Sequence, residues 1–449
     1  MNKSGTLQLP SQIEIIKGRL YWLSAEEPPR NESNVFFFCI DNDLVYEPFF
    51  EDFGPLDIAK SYRFVSALEK ILKAPQYNDY QIVHYTSLDP AKRANAACLM
   101  GIYQILVLGR SAVDAWSCFK NVSPPLVDFR DASSGPSTYN CTILDVLRGL
   151  EYAMMVGLFD RKTFNVKEYE YYEKIENGDI NWIIPGKFIG FVGPAGTKEE
   201  AQEIGALTPE EYVPIFKKFG VKHIISLSKR KYKEEQFTKH GFKFTDLYFV
   251  DGSVPSYELV EKFLQVCENE PGAIAVHCKA GLGRTGTLIG CYAMKHFKFC
   301  AAEFIGWIRL CRPGSVLGPQ QHFLCEIEEH MHVLAEESPV YKKILPGLKI
   351  YLEKDGEIRK QRQIITKLKA GEMSPAEQEI AIKGETNQGE RLLEAKSRPL
   401  PLKAKDMDVR NVSQDSTNIT LDSNSSPTSA DKGFNATGDA GITASPTLG

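Results

Sequence analysis

Short β-rich runs and longer amphipathic stretches alternate along the first three quarters of the chain, and they do so twice. In the first stretch, residues 35–40 and 81–86 are dense in branched and aromatic side chains and read as strands, while apolar positions recur at helical spacing over 58–72, 93–108 and 142–158. The second stretch repeats the pattern, with strands over 223–228, 244–250 and 273–277 and helices over 256–268, 284–297, 302–310 and 319–335. Such alternation is the signature of α/β units. The longest apolar run, 96–108, includes Gln104 and falls short of the roughly 20 residues of a membrane span, so it predicts a core helix. An acidic segment from Glu168 to Asp179, with five carboxylates and Lys174 as its one cation, joins the two stretches.

The two stretches share more than a pattern. Ile82-Val83-His84-Tyr85 with Arg93 parallels Ala275-Val276-His277-Cys278 with Arg284, each a strand end running into an alanine- or glycine-rich helix. This predicts an internal duplication whose first copy lacks the cysteine and the glycines. At 449 residues the chain is expected to hold two or three domains rather than one core.

Toward the C-terminus the apolar pattern fades. From 405 to 449 the single aromatic residue is Phe434 among Ser, Thr, Asn, Asp and Gly, too little apolar surface to offset chain entropy, so disorder is expected. Residues 354–404 are charged and sparse in apolar positions; Ser374, Pro375 and Glu377 ahead of 380–382 make a capping box and predict a marginal helix at most. Lys plus Arg number 53 against 58 Asp plus Glu, a net charge of −5 that offers no basic field for nucleic acid or an anionic membrane. The first 20 residues hold no apolar stretch followed by small residues, so an intracellular protein of the nucleus or cytoplasm is expected. The ten cysteines, scattered from 39 to 325 without a CxxC pair or a Cys/His cluster, then read as reduced thiols, and neither a metal nor a cofactor is expected.

One of those cysteines lies in a run that changes the picture. His277-Cys278-Lys279-Ala280-Gly281-Leu282-Gly283-Arg284-Thr285-Gly286 has the form HCxxxxxR followed by a hydroxyl residue. A strand delivers Cys278, the loop of Lys279, Ala280, Gly281, Leu282 and Gly283 can turn its amides inward, and Arg284 opens a helix whose N-terminus favours an anion. This is a phosphate cradle with a nucleophile at its floor. A free thiol of pKa about 8.5 is mostly protonated at pH 7, but inward amides, a helix N-terminus and a nearby cation lower it to roughly 3.5 to 7.5. Cys278 is then expected to attack phosphorus and Arg284 to grip two equatorial oxygens, while His277 shapes the loop through backbone hydrogen bonds and Thr285 eases departure of the thiolate.

A departing serine alkoxide needs a proton. Asp251 is the candidate donor: it follows the strand ending at Val250 and begins the turn Asp251-Gly252-Ser253-Val254-Pro255, although an Asp before Gly is also an ordinary turn former. A second step requires a water held in line. Gln320 and Gln321 are the candidates, and capping the helix after Pro319 is the competing role for one of them.

Asp251-Gly252-Ser253, the run from Gly272 to Thr287 and Cys311-Arg312-Pro313-Gly314-Ser315 through Gln321 closely resemble the mitotic-exit phosphatases known by cell-division-cycle number fourteen, a likeness that extends to Asn181-Trp182-Ile183-Ile184-Pro185 and covers about residues 15–330. The resemblance implies an α/β fold of two tandem dual-specificity-phosphatase-like domains with only the second active, in keeping with Tyr85 where the first copy would need its cysteine. The expected divisions are an inactive domain over 1–160, an acidic linker helix over 161–180, a catalytic domain over 181–345 and a mostly disordered tail over 346–449. It further implies that Asp251 is the general acid. The implied substrates are proteins phosphorylated on serine before proline, with a basic residue at the third following position read by an acidic groove, to which Glu170, Glu173 and Asp179 correspond. From composition alone those three carboxylates would be a solvated face.

Two rivals remain at this stage. A phosphoinositide phosphatase of the tensin-homologue type resembles HCKAGKGRTG, but Leu282 stands where that loop has its second lysine, and the acidic linker would be repelled by a membrane surface. A phosphopeptide-binding scaffold without activity would show a broken Cys, Arg or Asp, and the second stretch keeps all three.

Overall fold

The computed structural model describes residues 12–398, apart from 31, 136, 372 and 386. The N-terminal half contains β1 (Ile13–Ile16), β2 (Leu20–Ser24), β3 (Val35–Phe38), α1 (Ile58–Lys73), β4 (Gln81–Thr86), α2 (Pro90–Leu106), α3 (Ala112–Ser117) and α4 (Ile143–Met155). The acidic segment forms α5 (Val166–Tyr172) and a 3-10 turn at Ile175–Asn177. The second half follows with β5 (Asn181–Ile184), β6 (Phe188–Phe191), α6 (Lys198–Ile204), α7 (Pro209–Lys218), β7 (Val221–Ser226), α8 (Glu235–Thr238), β8 (Lys243–Asp246), α9 (Tyr257–Glu268), β9 (Ala273–His277), α10 (Gly283–Phe297), α11 (Ala301–Cys311) and α12 (Pro319–Ala335). Three more helices end the described chain: α13 (Pro339–Ala370), α14 (Pro375–Lys383) and α15 (Gln388–Ser397). No helix among the described residues is long and apolar enough to cross a membrane, and the 96–108 run lies largely in the buried α2.

Strand order shows the duplication directly. The first sheet runs β1-β2-β4-β3 and the second β5-β6-β9-β7-β8, each opening with an antiparallel hairpin and continuing parallel. Within them, Trp22 and Phe38 flank His84 as Phe191 and Ser226 flank His277. Tyr85 therefore occupies the position of Cys278. Both hairpins close on a glycine of positive φ, Gly18 at 69° and Gly186 at 76°; the short strands around Lys17-Gly18 and Pro185-Gly186 were missed in the sequence pattern, as were the helices α3, α6, α7 and α8. The strand expected over 244–250 stops at Asp246, because the chain leaves the sheet there to carry Asp251 toward the loop after β9.

Two expectations need correction. The halves do not keep separate cores: one cluster of buried apolar side chains runs from Ile15, Leu99 and Leu147 to Ile183, Leu288 and Trp307. It is continuous because α4 crosses α11 at backbone distance, where Gly149 faces the Glu303 carbonyl and a Cβ on Gly306 would stand 2.6 Å from the Asp145 carbonyl. The segment after 354 is likewise more than a marginal helix. α13, which packs on α10 and α12 through residues before 354 such as Leu348 and Leu352, continues to Ala370, and α14, opened by the capping box expected of Ser374 and Glu377, lies with α15 across the catalytic face. The 405–449 expectation lies outside the described residues.

Candidate active site

β9 ends at His277 and hands Cys278 to a buried loop, where its side chain accepts a hydrogen bond from the Gly281 amide (3.2 Å). Gly281 has φ 69°, and any Cβ there would overlap the Phe191 carbonyl, so the turn requires glycine. Arg284, in the first turn of α10, is 3% exposed; its Nη1 donates to the Leu227 and Phe249 carbonyls and its Nη2 pairs with Asp251 Oδ1 at 2.9 Å. Cys278, Arg284, Asp251, Lys279 and His277 line one cavity of about 320 Å³. The structure thus brings together the residues that the sequence motif spaced apart.

Burial pushes the Cys278 thiol up and Asp251 adds to that, but the Arg284 guanidinium, with the Thr285 hydroxyl and amide, together outweigh them and leave the thiol below its ordinary range. Cys98, Cys291 and Cys311 are buried as deeply with no cation acting on them, and all are raised; Cys267 is raised too, since Lys187 beside it does not offset its burial. The Thr285 hydroxyl has no hydrogen-bond partner within bonding distance, so its effect on the sulfur is that of a nearby open donor. His277 bonds the Cys278 carbonyl through Nδ1 (2.8 Å) and the Tyr232 hydroxyl through Nε2 (2.6 Å). A carbonyl only accepts, so Nδ1 carries the proton and Nε2 takes the phenol's. Burial holds this ring neutral, its pKa pulled down to about 4.

Of the two glutamines, Gln320 reaches the site: its Oε1 accepts from Leu317 N, its Nε2 donates to the Ser253 carbonyl in the Asp251 turn, and a Cβ on Gly283 would meet it at 2.6 Å. Gln321 instead accepts from Arg309 at 2.7 Å and belongs to the packing behind.

The three acidic residues line a second cavity, of about 640 Å³, between the halves. Their surroundings differ. Glu170 forms a two-point pair with Arg63 (2.9 and 2.7 Å), and Glu173 caps the end of α5. Asp179, at φ 49°, turns both carboxylate oxygens to the buried Arg312 (3.0 and 2.8 Å), whose Nε and Nη2 hold the Gly281 and Ala280 carbonyls. Arg312 is the loop's brace. It went unassigned in the sequence reading, although an arginine inside the apolar α11 surroundings was a signal of a buried role.

The segment after α14 was missed altogether. Gly389 donates its amide to Asp251 Oδ2 (2.8 Å), Glu390 pairs with Lys279, and Lys396 reaches Asp179 and the Ala280 carbonyl (3.0 Å). Its residue types alone, charged and helix-forming, did not distinguish it from a solvated helix.

The described geometry agrees with the comparisons. Residues 14–153 match the family model "Dual specificity protein phosphatase, N-terminal half", and 207–331 match "Dual specificity phosphatase, catalytic domain". The chain is 44% identical over 402 residues to dual specificity protein phosphatase CDC14A of Mus musculus, covering 88% of this chain and 67% of that one. It is 46% identical over 329 residues to CDC14C of Homo sapiens, covering 72% and 74%, and 40% identical over 340 residues to tyrosine-protein phosphatase cdc-14 of Caenorhabditis elegans, covering 73% and 48%. With both halves matched in order and a cysteine loop in the second, the chain belongs to the CDC14 family of dual specificity protein phosphatases and is a cysteine-based phosphatase of phosphoproteins.

Proposed function

We propose that Cys278 carries a two-step hydrolysis of phosphoserine before proline, with a basic residue preferred at the third following position, and that the enzyme reverses proline-directed phosphorylation in cell-cycle control. The carrying observation is a buried thiol that shares one cavity with Asp251 and with the guanidinium that grips it, the cation that does most to bring the thiol below its ordinary range. In the first step Cys278 Sγ bonds to phosphorus as the ester P–O bond breaks, Arg284 turns to the equatorial oxygens, and protonated Asp251 gives its proton to the serine oxygen. In the second, Asp251 takes a proton from water as the water oxygen bonds to phosphorus, and the S–P bond breaks with Thr285 beside the departing sulfur. Gln320, in α12 and hydrogen-bonded to the Asp251 turn through the Ser253 carbonyl, is the better placed of the two glutamines to orient that water. The first domain, with Tyr85 in place of the cysteine, is read as inactive.

The preference for a basic residue is supported by the acidic cavity beside the site; an anionic headgroup would find no such match there. The test is turnover of phosphoserine-proline peptides with Lys, Ala or Glu at the third position. Lys should be preferred, Cys278→Ser should turn over nothing, and Asp251→Asn should lose about 10² to 10⁴ on peptide but less on an aryl phosphate, whose leaving group needs little acid. Equal rates on all three peptides would remove the groove from the reading, and an active Cys278→Ser would remove the thiolate mechanism.

A further inference from the structure

One residue of the N-terminal half reaches into the catalytic half at the turn that carries Gln320. A loop over 130–135 is closed at its base by the antiparallel bridge between Phe129 and Cys141, and from within by Arg130, whose Nη2 donates to the Ser133 and Gly135 carbonyls (2.9 and 2.8 Å). In this loop Asp131 is 1% exposed. Its Oδ2 accepts from the Gly318 amide at 2.6 Å, across 187 residues of sequence, and from the Ser133 amide at 3.2 Å. Its Oδ1 has no hydrogen-bond partner among the described residues. Ala132 beside it is buried with Leu317 of the turn and with Ala280 and Leu282 of the phosphate loop.

The turn from Ser315 to Gly318 is not held by its own geometry. Val316, a β-branched residue, has φ 62°, a conformation that a chain keeps only where its surroundings impose it. Arg309 holds the Ser315 and Val316 carbonyls (3.2 and 2.9 Å), and Asp131 holds the amide of Gly318, which at φ 50° and ψ −129° turns the chain into α12. Gly318 precedes Pro319, so the anchor sets where α12 begins. Gln320 stands in the first turn of that helix, with its side chain on the Ser253 carbonyl and over Gly283. A buried carboxylate with one oxygen unpaired is costly, and an apolar residue would fill the place at less cost; what the carboxylate supplies is a charge-assisted bond to the amide.

We infer that Asp131 is a positioning residue for the second chemical step: by fixing Gly318 it aims Gln320 at the water that attacks the phosphocysteine, so that the N-terminal half completes the site from outside the catalytic domain. This rests on the reading of Gln320 as the residue that orients that water. In that step the water oxygen bonds to phosphorus, its proton passes to Asp251, and the S–P bond breaks with its electron pair on Cys278. The preceding transfer from the substrate oxygen to Cys278 uses no held water and does not need the anchor.

The experiment follows p-nitrophenyl phosphate by rapid mixing in full-length wild type, Asp131→Ala, Asp131→Asn, Gln320→Ala and the double variant of Asp131→Ala with Gln320→Ala. The burst of nitrophenol reports formation of the phosphocysteine, and decay of phosphoenzyme trapped by denaturant reports its hydrolysis. In Asp131→Ala the decay should slow about tenfold, the scale of one charge-assisted hydrogen bond, with the burst rate within about threefold; kcat and KM then fall together and kcat/KM holds. Asp131→Asn, which keeps an acceptor oxygen without the charge, should fall between Asp131→Ala and wild type, and it carries the same tests if Asp131→Ala does not fold. The double variant should decay no more than about twofold slower than Gln320→Ala alone, because both substitutions act through one side chain. Burst and decay slowed by the same factor, or two losses that multiply in the double variant, overturns the inference and leaves Asp131 a structural contact between the halves. Slow decay in Gln320→Ala with wild-type decay in Asp131→Ala also overturns it, while the reading of Gln320 stands. Wild-type decay in Gln320→Ala removes that reading and the inference with it.

Discussion

Asp179 and Glu173 face the same cavity, but what each one touches separates their roles. Glu173 sits at a half-buried helix end, where a partly exposed ion pair contributes about 0.2 to 1 kcal/mol. Glu173→Lys should therefore lower kcat/KM on the lysine-containing peptide by up to about fivefold and spare an aryl phosphate. Asp179 is paired on both oxygens with buried Arg312, which holds the Ala280 and Gly281 carbonyls. Removing one partner of a buried pair costs roughly 3 to 5 kcal/mol, and here the cost falls on the phosphate loop. Asp179→Asn should reduce turnover of both substrates; a purely peptide-selective loss would show that the brace is dispensable and the carboxylate serves only the groove.

At the scale of elements, the join between the halves depends on two glycines rather than on the acidic segment. Gly149 on α4 and Gly306 on α11 let the helices touch backbone to backbone, and the crossing is flanked by the fully buried Arg148 and Glu303, 3.7 Å apart, and by the Trp307 indole on the Ile183 carbonyl. Any larger residue must push the helices apart, and overpacking of this kind costs about 1 to 3 kcal/mol or more. Gly306→Val should lower the urea midpoint accordingly and split unfolding into two transitions as the shared core opens. A single transition at the wild-type midpoint would mean that the crossing is not tight. Neither glycine is marked in the sequence, since both lie inside helical patterns where close approach has no local signature.

For the whole molecule, the duplicated histidines set an acid limit. His84 is buried against Phe38, with ring centroids 4.9 Å apart and no hydrogen-bond partner at either nitrogen, and His277 is buried behind the loop; burial pulls both from 6.5 to about 4. The unfolded chain binds these protons below about pH 6.5 and the folded one only near 4, so the stability they contribute is present above pH 6.5 and lost as pH falls through 4. The slope in that window approaches about 1.4 kcal/mol per pH unit for each histidine. Urea midpoints at pH 7, 6 and 5 should fall, and His84→Phe, which keeps a ring against Phe38, should lose one histidine's share of the slope. Midpoints flat from pH 6.5 to 5 would contradict buried neutral rings in both halves.

The sequence by itself determined the α/β alternation, the duplication and the cysteine loop, because each is written in contiguous residues: periodicity within an element, and an eight-residue motif whose function needs a strand before it and a helix after it. His277, Cys278 and Arg284 could be assigned for that reason. The tight hairpins at Gly18 and Gly186 were equally local and could have been read from their turn glycines. Only the tertiary structure decided that the halves share one core, that Arg312 braces the loop from 31 residues beyond Gly281, and that α15 returns to Asp251 from 138 residues downstream. These depend on which surfaces meet across the fold. A charged helix carries no mark in its own sequence of the carboxylate it will face.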